Sequence, residues 1–313
     1  MVFLAYLFTI LKYVIYGTSV FFTGSLSENV DVLDILALRF LISFIVLYFL
    51  KIFKIIKINV GIKDIFKKTE RSNHIKSLLL AAIFEPVLYM LFETLGISMT
   101  TGITTAIILS LTPISSCICE SIILKEKTTL MQKLFLGIGI AGVIYIAVNT
   151  NTSDGKDTIA GIIFIVLAVL SGSLFAVFSR KSSAHFNSME VTYFSAMLGM
   201  MAFNSVNVVR HILSGNILKY FSPLFNVQNL TGFIFLAIVS TIVATGMNNF
   251  ALSKIQTSTA SAFSGLSTVV TITVSVIFGG EHLYYFHYIG ITLILIRMIG
   301  VSYISIKKSR ANT

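Results

Sequence analysis

The sequence predicts an all-α membrane protein in which ten transmembrane helices form two inverted five-helix repeats. Three observations indicate this fold class. Hydrophobic residues make up 56% of the 313 residues and charged residues only 12%, with a mean hydropathy of +0.91. The Lys and Arg residues lie almost entirely in short segments between apolar runs. The two halves of the chain match each other at a constant offset of 155 residues.

The composition excludes an ordinary soluble protein. A soluble domain carries about 25% charged residues, because a globule needs a polar surface. Most of this chain must therefore be solvated by lipid. The net charge of +10 would suit a nucleic-acid partner. However, the charges lie in the gaps between apolar runs, as membrane topology requires, so no nucleic-acid partner is expected.

A transmembrane helix needs about 20 apolar residues to cross about 30 Å of hydrocarbon. On that criterion we predict ten spans, numbered in chain order, at residues 4–23, 33–51, 77–97, 102–123, 131–149, 158–179, 189–210, 231–251, 258–279 and 287–305. The first five-helix repeat then covers residues 1–149, an external linker residues 150–157, and the second five-helix repeat residues 158–313.

Polar segments separate these spans in order. Span 1 lacks the basic start of a signal peptide and contains Lys12, so we expect it to be retained as a span. A basic loop at 52–76 follows span 2, and a short turn at 124–127 follows span 4. The polar linker follows span 5, and Gly279-Gly280-Glu281 separates span 9 from span 10.

The basic residues orient the spans. With the N-terminus in the cytoplasm, 17 of the 23 Lys and Arg residues fall in cytoplasmic segments and 3 in outer segments, while Lys12, Arg39 and Arg297 lie inside spans. Loops rich in Lys and Arg remain on the cytoplasmic side of a membrane. We therefore expect a multi-pass protein of a bacterial plasma membrane with both termini in the cytoplasm.

The self-match supports the division into halves. At the offset of 155 residues, Gly17 falls on Gly172 and Glu126 falls on Glu281. A repeat with an odd number of spans must enter the membrane in the opposite orientation the second time. Inverted repeats recur in secondary transporters, which hold their substrate near the membrane midplane where the repeats meet.

Several short motifs resemble those of a known family. They are Leu111-Thr112-Pro113-Ile114, Leu124-Lys125-Glu126-Lys127, Gln132, Gly142-Val143, Arg39-Phe40, and Glu281 followed by Gly290. Over residues 5–305 the chain resembles the EamA-like family of the drug/metabolite transporter superfamily. The resemblance implies ten helices in two inverted repeats, with spans 1–4 and 6–9 around a central cavity and spans 5 and 10 outside. It implies almost nothing about the substrate.

The chain departs from the family pattern at four positions. Thr268 stands where the first half has Pro113, and Phe135 and Arg297 stand where glycine is usual. Tyr16 replaces the Trp that is common in span 1. A charged residue in span 10 argues against a simple packing role for that helix.

Ionisable side chains inside spans are the first candidates for function, because each costs at least about 2.5 kcal/mol on insertion scales. Three cationic and three acidic residues fall inside the predicted spans: Lys12, Arg39, Glu85, Glu93, Glu120 and Arg297. The charges balance, which favours a zwitterionic or neutral solute such as an amino acid.

Glu85, Tyr89 and Glu93 follow one another at intervals of four residues, which places them on one face of span 3. Glu85 is expected near the membrane midplane, and Pro86 after it can free a backbone carbonyl. Two interpretations of Glu85 remain open. Its carboxylate can bind a proton or a substrate amine, or it can form a structural ion pair with a basic residue of span 1 or span 2.

Lys12, Tyr16 and Arg39 are the candidates in spans 1 and 2. Lys12 lies too far from either interface for its ammonium group to reach water easily, so we expect it on the cavity wall. Arg39 matches the family's arginine in span 2. It either orients a substrate carboxylate or pairs with an acidic side chain, and the ion pair is the preferred interpretation.

Asn248 and Asn249 in span 8 correspond to Glu93 and Thr94 in span 3 at the same offset. Polar residues on corresponding helices would suit a shared central site. The alternative is a hydrogen bond between helices, worth about 0.6 kcal/mol. The hydroxyl side chains of spans 4 and 9 are expected mainly to permit close helix packing.

These observations predict a secondary transporter that moves a small organic solute by alternating access. The preferred interpretation is an exporter of amino-acid-like metabolites or drugs, with protons coupled through the buried carboxylates. The alternatives are an uncoupled facilitator or exchanger for phosphorylated or nucleotide-type metabolites, and a membrane sensor without transport.

No nucleophile–base pair, phosphate loop or metal-ligand spacing occurs in the sequence, so we expect no enzymatic activity, no cofactor and no metal site. The expected partners are the solute and the lipid bilayer. The protein is expected to be a monomer or a homodimer.

Overall fold

The computed structural model describes residues 2–56, 78–123, 157–182, 186–255 and 263–289, together with residues 58, 134, 138, 141, 145, 260, 291–293 and 296. Within these ranges every regular element is a helix. Predicted spans 5 and 10, at 131–149 and 287–305, lie largely outside the described residues.

The described ranges contain eight long helices, which correspond in order to predicted spans 1–4 and 6–9. They are α1 (Val2–Ser27), α2 (Val32–Ile52), α3 (Leu78–Ser98), α4 (Gly102–Leu109 continued by Thr112–Ile123), α5 (Ile159–Ser182), α6 (Ser188–Leu213), α7 (Val227–Leu252) and α8 (Gly265–Gly279). Two short 3-10 turns, Ile217–Lys219 and Ser222–Phe225, lie between α6 and α7.

Five of these helices, α1, α2, α3, α5 and α7, are long and apolar enough to cross a membrane. Shorter apolar helices run from Gly102 to Ser116 in α4 and from Gly265 to Gly279 in α8. α6 is long, but its last turn carries Arg210 and His211. The count of ten spans therefore stays a prediction beyond these five.

Side chains at the helix starts satisfy backbone N–H groups that have no partner inside the helix. Asp31 accepts from the backbone of Leu33 at 2.8 Å at the start of α2. Asn187 and Glu190 form a reciprocal capping box at the start of α6. These caps explain why the helices begin where they do.

Contacts between helix ends define the direction of each helix. The end of α1 packs on the start of α7 through Leu26 and Gly232. The end of α3 meets the start of α5, where the Thr158 N–H donates to the Met99 carbonyl at 3.0 Å. Gly24 of α1 lies against α3 near the end of that helix, so these four helix termini share one end of the bundle.

The other four helices meet at the same end. Glu281, just after α8, accepts the backbone N–H groups of Gly102 and Ile103 at the start of α4, at 2.7 and 2.9 Å. Arg210 at the end of α6 pairs with Asp34 at the start of α2, at 3.0 Å. Helices α1, α3, α6 and α8 thus run toward this end, which we call the Glu281 end, and α2, α4, α5 and α7 run away from it.

Helix packing follows the correspondence between the halves. α1 packs on α7 and α8, and its counterpart α5 packs on α3 and α4. α2 packs on α6 and α7, and its counterpart α6 packs on α2 and α3. These packed pairs are therefore unchanged when the two halves are exchanged.

π-helical turns interrupt α3 and α7 at corresponding positions. They cover Ile83–Leu88 and Phe235–Ala244, and moving the first by 155 residues places it inside the second. Within the first, Glu85 has φ −142° and ψ 117°, which is outside the helical region. The segment in α3 is therefore also a kink between two helical pieces.

Candidate functional site

A polar cavity lies among α1, α2, α3, α4, α5, α7 and α8. The space open to the centres of water molecules is about 110 Å³, enough for on the order of ten waters. Seven of the eight candidate site residues from the sequence line it: Lys12, Tyr16, Arg39, Glu85, Tyr89, Glu93 and Asn248.

Glu85 faces this cavity from the π-helical turn of α3. Among the described residues, its carboxylate has neither a hydrogen-bond partner nor an ion pair. Lys12, Arg39 and Glu93 lie within electrostatic range of it. The structural ion pair considered for Glu85 is therefore not formed within the described part of the chain.

Glu93 is buried, and one of its carboxylate oxygens is occupied. The Tyr89 hydroxyl donates to Glu93 Oε1 at 2.6 Å. The Tyr89 ring lies so close to Gly172 of α5 that a Cβ atom there would sit 2.9 Å from it. Packing against α5 thus orients Tyr89, and Tyr89 in turn orients Glu93.

Lys12 is almost fully buried, and its ammonium group stays inside the bundle. Its Nζ donates to Asn248 Oδ1 and lies 4.4 Å from the centre of the Tyr13 ring. An amide oxygen and an aromatic face both favour a cation, but neither neutralises its charge. Lys12 therefore places its Nζ on the cavity wall beside these two neutral groups.

Arg39 contacts hydroxyl groups of α7. Its Nε donates to Thr241 Oγ1 at 2.8 Å and a terminal nitrogen to Ser240 Oγ at 3.1 Å. The ion pair preferred from the sequence is absent among the described residues. Because hydroxyls are neutral, the guanidinium charge is held in place without being cancelled.

Ser240 and Thr241 were missed by sequence reasoning. The offset of 155 residues could have identified them, because it places them on Glu85 and Pro86. The corresponding π-helical turns thus supply an acidic group from one half and the partners of Arg39 from the other.

Asn249 does not line the cavity. It is fully buried, its Oδ1 accepts from Ser179 Oγ at 3.0 Å, and its Nδ2 donates to Thr192 Oγ1 at 2.9 Å. Asn249 therefore joins α5, α6 and α7, which is the interhelical hydrogen bond considered as the alternative. Tyr16 lines the cavity, with its hydroxyl 3.4 Å from Thr245 Oγ1.

Several hydroxyl side chains expected to serve packing also reach the cavity. Thr271 does both, because it lines the cavity and its Oγ1 donates to the Gly17 carbonyl at 2.9 Å. The other hydroxyl residues of α4 and α8 on this wall are Thr112, Ser116, Ser267 and Thr268. Arg297 and the side chain of Glu120 lie outside the described residues.

In the part of the chain that the structure describes, the charged residues that line the cavity all belong to the first half. At the offset of 155 residues, the positions that match Lys12 and Arg39 hold Leu167 and Phe194. The positions that match Glu85 and Glu93 hold Ser240 and Asn248, which are polar but uncharged. The fold is repeated, but the charge distribution of the site is not.

Comparison with known proteins agrees with this architecture. The sequence pattern described as "EamA-like transporter family" matches residues 3–148 and again residues 159–303. A solved structure described only as "Crystal structure of protein" has a TM-score of 0.62 and 13% identity, covering 97% of this chain and 98% of that one. At that identity the likeness concerns the fold alone.

Two curated relatives come from Bacillus subtilis (strain 168). "Uncharacterized transporter YcxC" is 29% identical over 296 residues, which cover 95% of this chain and 92% of YcxC. "Uncharacterized transporter YetK" is 23% identical over 285 residues, covering 90% of this chain and 81% of YetK. Together with the apolar spans and the double match, these likenesses show that the chain is a multi-pass membrane transporter belonging to the EamA-like transporter family of the drug/metabolite transporter superfamily.

Proposed function

We propose that the protein is a secondary transporter that exports a small zwitterionic solute of the amino-acid type by alternating access. Inward proton movement through Glu85 drives the export. The observation that carries this proposal is the cavity, in which two carboxylates and two cationic side chains face one another.

The charge composition of the cavity supports a zwitterion. A solute with one ammonium and one carboxylate group can approach Glu85 with the first and Lys12 or Arg39 with the second. A phosphorylated or nucleotide-type solute would place extra negative charge beside Glu85 and Glu93, where like charges repel. A purely cationic solute would meet Lys12 and Arg39.

The absence of a described partner for Glu85 supports the coupling role. Ionisable groups inside a membrane often mark proton relays or substrate pathways. A carboxylate with a free face can bind either a proton or a substrate ammonium group, and the two then compete. Because of this competition, Glu85 could carry a proton inward or release a solute outward, but not both in the same step.

Opposed repeats support alternating access. Each of α1 to α4 runs in the opposite direction to its counterpart among α5 to α8, as the contacts at the Glu281 end indicate. We propose that predicted spans 5 and 10 complete two inverted five-helix repeats. The cavity would then open to one side of the membrane when the repeats tilt one way and to the other side when they tilt back.

The proposed location is a bacterial plasma membrane with both termini in the cytoplasm, supported by the basic residues and by the two Bacillus relatives. The Glu281 end then faces outward. Solute enters the cavity from the opposite end.

The test uses purified protein in liposomes whose interior is more acidic than the exterior, with a mixture of labelled L-amino acids outside. Outgoing protons should drive accumulation of at least one amino acid. In Glu85→Gln, which keeps the shape but cannot ionise, pH-driven accumulation should disappear. Exchange of labelled for unlabelled solute at equal pH should weaken as well, because a neutral amide cannot pair with the ammonium group of the solute.

Glu28→Gln is the matched control, because Glu28 is an exposed glutamate outside the cavity. It should behave as the wild type. Unchanged pH-driven accumulation in Glu85→Gln would eliminate Glu85 as the coupling residue. No flux of any amino acid in the wild type would contradict the proposed solute class.

A further inference from the structure

A second, smaller cavity also reaches Glu85. It lies among α2, α3, α6 and α7 and is lined by Phe40, Glu85, Pro86, Met90, Thr192, Ser195, Ala196, Thr241 and Thr245. Glu85 and Met90 are the residues that line both cavities. Glu85 and Met90 therefore lie between the small cavity and the large one. Residues of α6 line the small cavity and not the large one.

The size of the small cavity suits one water molecule. Its space open to water centres is about 10 Å³, which is at the lower limit for holding a single water. A buried water also needs two to four polar partners. The Glu85 carboxylate and the Ser195 hydroxyl supply two such partners, whereas the hydroxyls of Thr192, Thr241 and Thr245 in the same lining already have hydrogen-bond partners.

Ser195 provides the second observation. Its side chain is only 5% exposed, and its hydroxyl has no hydrogen-bond partner among the residues that the structure describes. Thr192 and Thr241, by contrast, donate to the carbonyls of Ser188 and Leu236 at 2.9 and 2.8 Å. Leaving a buried hydroxyl unpaired is unfavourable, so the free hydroxyl of Ser195 points to a small polar occupant.

We propose that the small cavity holds an ordered water between the Glu85 carboxyl group and the Ser195 hydroxyl, and that Glu85 exchanges its proton with this water. This inference rests on the proposed role of Glu85 in proton coupling. It adds a separate proton route, so that solute meets Glu85 from the large cavity and the proton from the small one.

The charges around Glu85 favour this division. Lys12 and Tyr16 face it from α1, Arg39 from α2, and Tyr89 and Glu93 from α3. The residues that line the small cavity from α6 and α7 are uncharged, and four of them carry hydroxyls. A proton leaving through the small cavity therefore avoids the ammonium group of Lys12.

The proposed route leads toward the start of α6. Ser188, the first residue of α6, lies at the end of the bundle opposite the Glu281 end. Ser195 lies seven residues further along the chain, or about 10 Å along the helix. The proton on Glu85 passes to the water, and the water gives one of its own protons to Ser195 Oγ. Ser195 releases its hydroxyl proton toward the solvent at that end, so water and serine both end neutral.

The test compares Ser195→Ala with Ser195→Thr in the liposomes described above, with an internal pH indicator and the same amino-acid mixture. In Ser195→Ala, solute-dependent proton flux should fall at least about tenfold, since a positioned proton-transfer group contributes about 10²–10⁴-fold. Exchange at equal pH should remain at the wild-type rate. Ser195→Thr keeps the hydroxyl and should keep the proton flux.

Ser115→Ala is the matched control, because Ser115 is another buried hydroxyl with no hydrogen-bond partner in the described part of the chain, and it lines neither cavity. It should leave the flux unchanged. If Ser195→Ala kept the wild-type proton flux while Glu85→Gln lost it, the water route would be overturned and the coupling role of Glu85 would stand. Loss of exchange in folded Ser195→Ala would also overturn it, because Ser195 would then be structural.

Discussion

Four charged side chains share one cavity, and three of them have neutral hydrogen-bond partners. Lys12 donates to Asn248, Glu93 accepts from Tyr89, and Arg39 donates to two hydroxyls. A neutral partner holds a charged group in position and leaves its field available to a solute. An ion pair would have neutralised the charge. The arrangement therefore suits binding of a solute better than it suits packing between helices.

Arg39 gives the residue-scale prediction. Arg39→Lys keeps the charge but replaces a planar fork of donors with one ammonium group, which cannot reproduce both hydroxyl contacts at their present angles. We expect the free energy of unfolding to fall by about 1.5–3 kcal/mol, as for the loss of one hydrogen bond to a charged group. Thermal unfolding of purified protein in detergent measures this.

The control for Arg39→Lys is Arg210→Lys, since Arg210 is a partly exposed arginine at a helix end, with 32% of its side chain accessible. Its stability should change much less, because exposed ion pairs contribute about 0–1 kcal/mol. Equal losses of stability in the two variants would mean that the buried hydroxyl contacts of Arg39 stabilise the fold no more than an exposed ion pair does.

Much of the site could be predicted from residue spacing, and the exceptions have physical reasons. The spacing of Glu85, Tyr89 and Glu93 predicts one face of a helix, and all three line the cavity. The offset between the halves predicts a shared role for Asn248 and Asn249, but adjacent helical residues point about 100° apart. One therefore faces the cavity while the other faces α5 and α6.

At the scale of helices, small residues set how closely elements approach. A Cβ atom on Gly17 of α1 would lie 2.7 Å from the Ser267 carbonyl oxygen and 2.8 Å from Val270 of α8. Only glycine at position 17 allows α1 and α8 to lie this close together. Since Gly17 and Thr271 also join α1 to α8 through a hydrogen bond, this contact fixes one wall of the cavity.

Gly17→Ala should therefore push α1 away from α8. We expect it to destabilise the protein by about 1–3 kcal/mol, as overpacking of a buried contact does. Gly24→Ala lies on the same helix, with its nearest neighbour at 3.6 Å. It should be neutral or stabilising by up to about 1 kcal/mol, because alanine favours helix.

Thermal unfolding of the two glycine variants, measured side by side with the wild type, checks this. A stability loss in Gly24→Ala as large as that in Gly17→Ala would contradict the close-packing account. So would a stable Gly17→Ala variant with unchanged transport.

Hydropathy predicted the positions of the helices well but not their internal geometry. The described helices match predicted spans 1–4 and 6–9, yet α4 breaks between Leu109 and Thr112, inside predicted span 4. The π-helical turns of α3 and α7 also went unpredicted. A window of apolar residues reports how much of a segment lies in lipid and carries no information on hydrogen-bond register.

At the scale of the whole molecule, repetition of the fold and asymmetry of the charges go together. Corresponding helices pack in corresponding ways and run in opposite directions. Among the described residues, however, the charged side chains that line the cavity come from α1, α2 and α3 alone. Under the proposed mechanism, the opposed repeats would tilt in two equivalent ways. Charged groups of one half would bind the solute and the proton, and the other half would supply neutral partners.

Alternating access requires the two repeats to have opposed orientations in the membrane. It is tested by replacing Cys117 and Cys119 with serine and adding one cysteine at a time, as Gly155→Cys or Ile65→Cys. A membrane-impermeant maleimide applied to intact cells should label the variant at 155 directly and the variant at 65 only after permeabilisation. Labelling of both positions from the same compartment would contradict inverted repeats, and with them the alternating-access mechanism.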